Sequence, residues 1–392
     1  MPTKPFVPFH RASIGEAEIA EVIEVLKSGW LTTGPRVLDF EREFATYVDC
    51  PHAVAVSSCT AALQLALDAI GLRAGDEVLL PTYTFTSTAE VVTYFGGRPV
   101  LCDSLPGGFN IDTAQLEKRI TSRTRAIVPV HIAGHPCDLT GVQEIAQRHG
   151  LRVIEDAAHA LPAIYRGRRI GGISEMTAFS FYATKTITTG EGGMLTTQND
   201  DFAVRARMMR LHGISGDAWK RYSKAGSWYY EVVAAGYKAN LTDIQAAIGR
   251  VQLAKADDLW KRRTHIAQHY MDAFSGFEEL EMPPLSPDSV DSWHLFILRL
   301  KPERLDIGRN DFIEELKKKG IGTSVHFIPL HLHPFYAIRY AHRRGDFPNA
   351  EDAYSRCLSL PIFPDMTEVE IESVIEAVCS TVTEHARVPV AA

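Results

Sequence analysis

The sequence predicts an α/β fold: a mostly parallel sheet with helices on both faces, followed by a smaller C-terminal α+β domain. Three observations carry this. From about Val54 to Gly193, short β-rich runs alternate with helix-like ones. The β-rich runs are almost continuously apolar, as strands covered on both faces must be. After about Gly249 the texture changes to a long polar helical stretch and then a Pro-rich link.

Taken in order, "HAVAVSS" reads as a strand feeding the helix "TAALQLALDAIG", and "DEVLLPTYTF" as a strand before "TSTAEVVTYFGG". "RAIVPVHIAG" precedes the helix "DLTGVQEIAQRHG", and "LRVIED" ends in a loop. In "TAFSFYATKTITTGEGGMLTT", Thr177 to Thr197, two β-like runs flank a loop of Thr, Gly and Glu that carries Lys185. "VQLAKADDLWKRRTHIAQHYMDAF" reads as one long helix, with the link "LEMPPLSPDSVDS" behind it. The boundary is drawn there, giving a large domain over 1–250, N-terminal segment included, and a small one over 251–392. The small domain is expected to hold a strand "WHLFILRL", a helix "RNDFIEELKKKG", a strand "GTSVHF" and a last helix from Thr367. In that helix "TEVE" has capping-box spacing, with Thr367 at N-cap and Glu370 at N3.

Composition narrows the function. Of 392 residues, 45% are hydrophobic and 23% charged, which is globular. A net charge of −7 argues against nucleic acid as partner. No apolar run reaches the roughly 18 residues of a membrane span, and the N-terminus lacks the apolar segment of a signal peptide. The expectation is a cytoplasmic protein with no membrane contact. Six cysteines lie far apart with no CxxC pair, which suits reduced thiols rather than disulfides or zinc. His326, His331 and His333 lie beside Pro329 and Pro334 in a loop, and read as surface or substrate-facing histidines, so no metal is expected.

Three places carry chemistry. In "VAVSSCTAALQLAL" a strand runs into Ser57, Ser58, Cys59 and Thr60, which open a helix whose free N–H groups favour an anion such as a phosphate. Taken alone, Ser58 or Thr60 serves as well as a plain N-cap. Asp156, at the carboxyl end of an apolar strand, calls for a cationic partner, for which a protonated ring nitrogen would serve; the alternative is a carboxylate capping a neighbouring loop. Lys185 is either a solvated loop charge or a desolvated amine able to form a Schiff base with a carbonyl compound. Together the three match the needs of pyridoxal phosphate (PLP): a phosphate cradle, a partner for the pyridinium nitrogen and an anchor for the aldehyde.

These residues stand in motifs that resemble the DegT/DnrJ/EryC1/StrS sugar aminotransferases. The likeness runs along nearly the whole chain, through "SGWLTTGP", "AVSSCTAALQLAL", "PTYTFTSTA", "VHIAGHPCD", "IEDAAHA", "FSFYATKTITTGEGGMLTT", "GYKANLTDIQAAIGRVQL" and "GIGTSVHF". It implies an aspartate-aminotransferase-like PLP fold of type I. It implies further that Lys185 anchors the cofactor and then moves protons, that Asp156 pairs with the ring nitrogen, and that His159 lies near the ring or its O3′. Phe85 resembles the aromatic that stacks on the ring, and Cys59, Thr60 and Ser180 the phosphate cradle. Two departures stand out. Cys59 replaces a common glycine, and "GYKAN" replaces GYNYR, so either Lys238 or Asn240 would reach the phosphate of a partner subunit in a homodimer with shared sites.

The resemblance implies ping-pong transfer of an amino group from L-glutamate to a nucleotide-linked keto sugar, with a UDP-linked 4-keto sugar as the leading acceptor. Tyr182, His326, Trp30 and Thr33 are its candidate contacts. Arg210 and Arg221 are candidates for holding the donor carboxylate. Other readings are a keto-cyclitol aminotransferase and a non-catalytic PLP-binding regulator.

Overall fold

The computed structural model describes residues 6–215 and 229–387. Its centre is a seven-stranded sheet of β1 (His52–Val56), β2 (Glu77–Pro81), β3 (Arg98–Cys102), β4 (Thr124–Ile127), β5 (Arg152–Asp156), β6 (Met176–Ser180) and β7 (Gly193–Thr197). The order across the sheet is β1-β7-β6-β5-β4-β2-β3. β7 runs antiparallel to both neighbours, and all other pairings are parallel. The register opposes Gly193 at the start of β7 to Val56 and Ser180 at the ends of β1 and β6. One edge of the sheet therefore gathers the carboxyl ends of β1, β5 and β6, the place where open α/β sheets bind ligands.

Helices α1 (Glu16–Ser28), α2 (Pro35–Tyr47), α3 (Cys59–Ala69), α4 (Ser87–Tyr94), α5 (Leu139–His149), α6 (Asp200–Met209) and α7 (Asp243–Ala254) surround this sheet. α3 is apolar almost all round, with Ala62, Leu63, Leu65, Ala66 and Leu67 buried, because it packs against β5, β6 and β7 in the middle of the protein. Ser58 caps it, its hydroxyl oxygen accepting the Ala61 N–H at 3.1 Å.

Beyond α8 (Ala256–Phe274) lies a three-stranded antiparallel sheet of β8 (Leu280–Glu281), β9 (Phe296–Leu300) and β10 (Cys357–Leu360), with α9 (Arg309–Lys318) and the last helix, α10 (Glu368–His385). One hydrophobic cluster joins Ile266, Tyr270, Phe296, Leu298, Val374 and Val378, and it includes Val7. Val7 is tied there by hydrogen bonds with Gly320 and Gly322, both 2.9 Å, which bring Phe9 and His10 toward the sheet edge.

Three expectations are corrected. The stretch read as one helix is two, broken at Lys255, where φ and ψ are −107° and 10°. The first half buries Ala246 and Ala247 and packs on α1 and α2, while the second buries Ile266 and Tyr270 against α10; two faces turned to different partners force the break. "GTSVHF" is no strand: Ser324 alone pairs, with Ser359, and the chain then turns His326 and Phe327 toward the sheet edge. "WHLFILRL" enters its sheet only at Phe296, because Ser292 and Leu295 donate instead to the carbonyls of Gly134 and Ala133, both at 3.1 Å. The final helix does begin with the Thr367/Glu370 capping box. No described helix is long and apolar enough to cross a membrane.

Candidate active site

The sheet edge opens into a cavity of about 470 Å³. Of the residues singled out in the sequence, Cys59, Thr60, Phe85, Asp156 and His159 line it, as do Ser180, Tyr182, Lys185 and His326. Topology explains the gathering: Cys59 and Thr60 follow β1, Asp156 ends β5, Ser180 ends β6, and Lys185 sits in the loop between β6 and β7.

Asp156 is 4% exposed. One oxygen accepts the Thr88 hydroxyl at 2.7 Å, and the other the Ala158 N–H at 3.1 Å. Burial outweighs these bonds and raises its pKa above the ordinary carboxylate value, so an anion here is relieved by any cation set beside it. Lys185 has its pKa pushed down to about 8 by burial, against the opposing pull of Cys59 and Asp156. A lysine poised there has a substantial neutral fraction, and the neutral amine is the nucleophile and base.

His159 is buried, and its Nδ1 accepts the Ala133 N–H at 3.3 Å. Its proton then sits on Nε2, leaving that atom as a donor. Burial first, then Lys185 and His326, push its pKa well below the usual value and keep it neutral. Its ring lies 5.7 Å from Phe327 and 4.4 Å from His294. His326 is held by Ser359 at 3.0 Å and stacks on Phe9 at 5.4 Å, with its pKa lowered to about 4 by burial. Phe85 and Tyr182, 56% and 47% exposed, stand at the mouth.

Trp30, Thr33, Lys238 and Asn240 do not line this cavity. They form one hydrogen-bonded chain: Lys238 Nζ donates to Asn240 Oδ1 (2.6 Å), Asn240 Nδ2 to Thr33 Oγ1 (2.8 Å) and Trp30 Nε1 to the Thr33 carbonyl (3.1 Å). Asn240 pairs with Val56 at the end of β1, so the chain lies beside the cavity's rim.

Other placements depart from the sequence reading. Arg210 is buried and committed to Glu41 and the Ala55 carbonyl, away from the cavity; Arg221 lies outside the described residues. His331 is neither surface nor substrate-facing: it is fully buried, bonded to Thr82 at 2.8 Å and Glu351 at 2.9 Å. Sequence reasoning missed Thr88, His294, Phe9 and His10. His10 Nε2 bonds the Ala183 carbonyl at 3.0 Å, two residues before Lys185, a contact across 173 positions that no local pattern signals.

The residues fit PLP. A Cβ on Gly193 would lie 2.5 Å from the Ser58 carbonyl carbon and 2.7 Å from the Cys59 nitrogen, so the start of β7 is pressed against the first turn of α3 and fixes that turn's amides at the cavity. The helix start suits the phosphate, Asp156 a protonated ring nitrogen, and Lys185 the aldehyde.

Comparison with known proteins agrees. The model of the DegT/DnrJ/EryC1/StrS aminotransferase family matches residues 12–379. The spore coat polysaccharide biosynthesis protein SpsC of Bacillus subtilis is 49% identical over 374 residues, covering 95% of this chain and 96% of its own. Among solved structures, DesV of S. venezuelae in complex with a ketimine intermediate superposes with a TM-score of 0.90 at 36% identity, covering 98% of this chain and 100% of that one. Spr1654 of Streptococcus pneumoniae, described as a candidate sugar aminotransferase in its PLP form, gives 0.90 at 32% identity over 97% and 99%. With Lys185 and Asp156 lining one cavity at the sheet edge, and the family matched almost end to end, this protein belongs to the DegT/DnrJ/EryC1/StrS aminotransferase family and is a PLP-dependent sugar aminotransferase.

Proposed function

We propose that the enzyme transfers the amino group of L-glutamate to a nucleotide-linked keto sugar, with a UDP-linked 4-keto sugar as the leading acceptor, in two half-reactions through one site. The observation that carries this is Lys185: a partly buried lysine with its pKa lowered to about 8, lining the cavity that Asp156 also lines. The relatives support the acceptor class, since SpsC is named for polysaccharide biosynthesis.

Bound PLP supplies a carbonyl that takes up the amino group and a ring that delocalises the carbanion's electrons. Lys185 would hold that carbonyl, Asp156 the ring nitrogen, and Cys59, Thr60 and Ser180 the phosphate. With its amine free, Lys185 would be the base that takes the proton from the donor's Cα. In the second half-reaction it returns a proton to the former carbonyl carbon of the sugar, acting as base and then acid. His159, neutral with Nε2–H as donor, orients the ring oxygen. Phe85 would stack on the ring, and Phe9 and Phe327 line the same cavity with apolar surface. His326 and Tyr182 face the acceptor.

Lys238 or Asn240 would complete the phosphate site of a second copy, making a homodimer with shared sites. The cysteines are unpaired, which suits a reducing compartment, and we place the reaction in the cytoplasm.

The test is spectroscopic. The near-ultraviolet and visible absorption of the PLP-loaded protein is recorded, L-glutamate is added, and a panel of nucleotide keto sugars follows. Glutamate is expected to bleach the long-wavelength band and one keto sugar to restore it. Lys185→Ala is expected to lose the band and at least a thousandfold of turnover. A band indifferent to every amino donor would sink the transaminase reading.

A further inference from the structure

Outside the lining of the cavity, α8 carries two histidines four residues apart, His265 and His269. That spacing places them on one helix face, and their rings lie 4.3 Å apart. Glu368, the first residue of α10, reaches the same spot, its Oε1 3.5 Å from His265 Nε2. One ligand atom from each of the three lies within 4.8 Å of the other two. We propose that His265, His269 and Glu368 form a binding site for a divalent transition-metal ion of the zinc class, which ties α8 to α10.

The donor set argues for that class. Two imidazoles and one carboxylate suit Zn²⁺ and its neighbours, whereas Mg²⁺ and Ca²⁺ prefer all-oxygen sites. Tetrahedral Zn²⁺, with bonds of about 2.0–2.2 Å, needs its ligand atoms about 3.3 Å apart. His265 and Glu368 are exposed, and their side chains have the rotamer freedom to close that gap. Three protein ligands leave a fourth position for water. Arg262 competes for the carboxylate: its guanidinium donates to Oε1 at 2.8 Å and to the Met366 carbonyl at 2.6 Å. An ion on the carboxylate competes with the first of these bonds and leaves the second in place.

None of the three residues lines the catalytic cavity, so the inference is independent of the aminotransferase mechanism. It is tested on the full-length, PLP-loaded protein, free of any purification tag, by titrating Zn²⁺ calorimetrically and by thermal melts with and without Zn²⁺. Wild type is expected to bind one ion per chain and to melt at a higher temperature with Zn²⁺. In His265→Ala/His269→Ala the affinity should fall at least a hundredfold and the shift vanish, and in Glu368→Gln the affinity should fall about tenfold. The metal-free melting temperatures and the turnover of these surface variants should match wild type. His326→Ala, in the cavity, should bind Zn²⁺ as wild type does. Binding that survives the double histidine variant, or a wild type with no ion held tighter than on the order of 10 μM, overturns the site.

Discussion

At the scale of single residues, the chemistry rests on two cavity groups, Lys185 and Asp156, pushed toward neutrality. Lys185 is lowered from 10.5 to about 8 and Asp156 is raised, in both cases chiefly by burial. Capture of the cofactor's aldehyde needs the neutral amine. The rate at which the cofactor-free protein takes up PLP should therefore fall about tenfold for each pH unit below 8 and level off above it. A plateau reached only near the ordinary lysine value would mean that Lys185 is not desolvated. Asp156→Asn removes the charge that keeps a ring nitrogen protonated while leaving the shape. Turnover should drop by about a hundredfold to a thousandfold with Lys185 still able to hold the cofactor, which absorption spectra at saturating PLP would establish.

The element scale explains why these groups meet. β7 enters the sheet between β1 and β6, and its first residue faces the last residues of both. The fit is tight, because the backbone of Gly193 abuts Ser58 and Cys59 with no room for a Cβ. Gly193→Ala must push β7 and the start of α3 apart. The expected cost is about 1–3 kcal/mol in denaturant unfolding, with PLP affinity reduced more than tenfold because the phosphate cradle moves. A variant that unfolds like wild type and binds PLP as tightly would show that the contact does not set the cradle. The break at Lys255 belongs to this scale too: Lys255 Nζ reaches Glu18 at 2.5 Å, pinning the junction of α7 and α8 to α1.

For the whole molecule, the Trp30–Thr33–Asn240–Lys238 chain matters most, since it stands beside the cavity of its own chain without lining it. Ile19, Ile23 and Leu26 leave an exposed apolar stripe on α1, with Leu31 just beyond, the kind of surface that copies of a chain cover in each other. If sites are shared, Lys185→Ala and Lys238→Ala/Asn240→Ala proteins should each be inactive alone. Unfolded together and refolded, half of a random dimer population would be mixed, each with one intact site, giving about a quarter of wild-type activity. Recovery near zero from a mixture shown to be dimeric would place both functions within one chain.

Much of this was legible in the sequence. The runs that form the strands of the sheet, the hydroxyl-rich start of α3, Asp156 at the end of a strand and Lys185 between two β runs follow from period, polarity and chain order, which are local properties. Those three groups together pointed to the cofactor, and the family motifs added the remaining roles. Tertiary structure alone decided what depends on contacts between distant segments. It alone turned His331 into a buried partner of Thr82 and Glu351, bound Arg210 to Glu41, broke the helix at Lys255 and drew "GTSVHF" out of the sheet. It alone brought His10 to the Lys185 loop, Thr88 to Asp156, and His294 against His159. A sequence states which side chains are available and how often they recur. Burial, which sets the pKa of Lys185 and the commitment of each polar group, is a property of the packed whole.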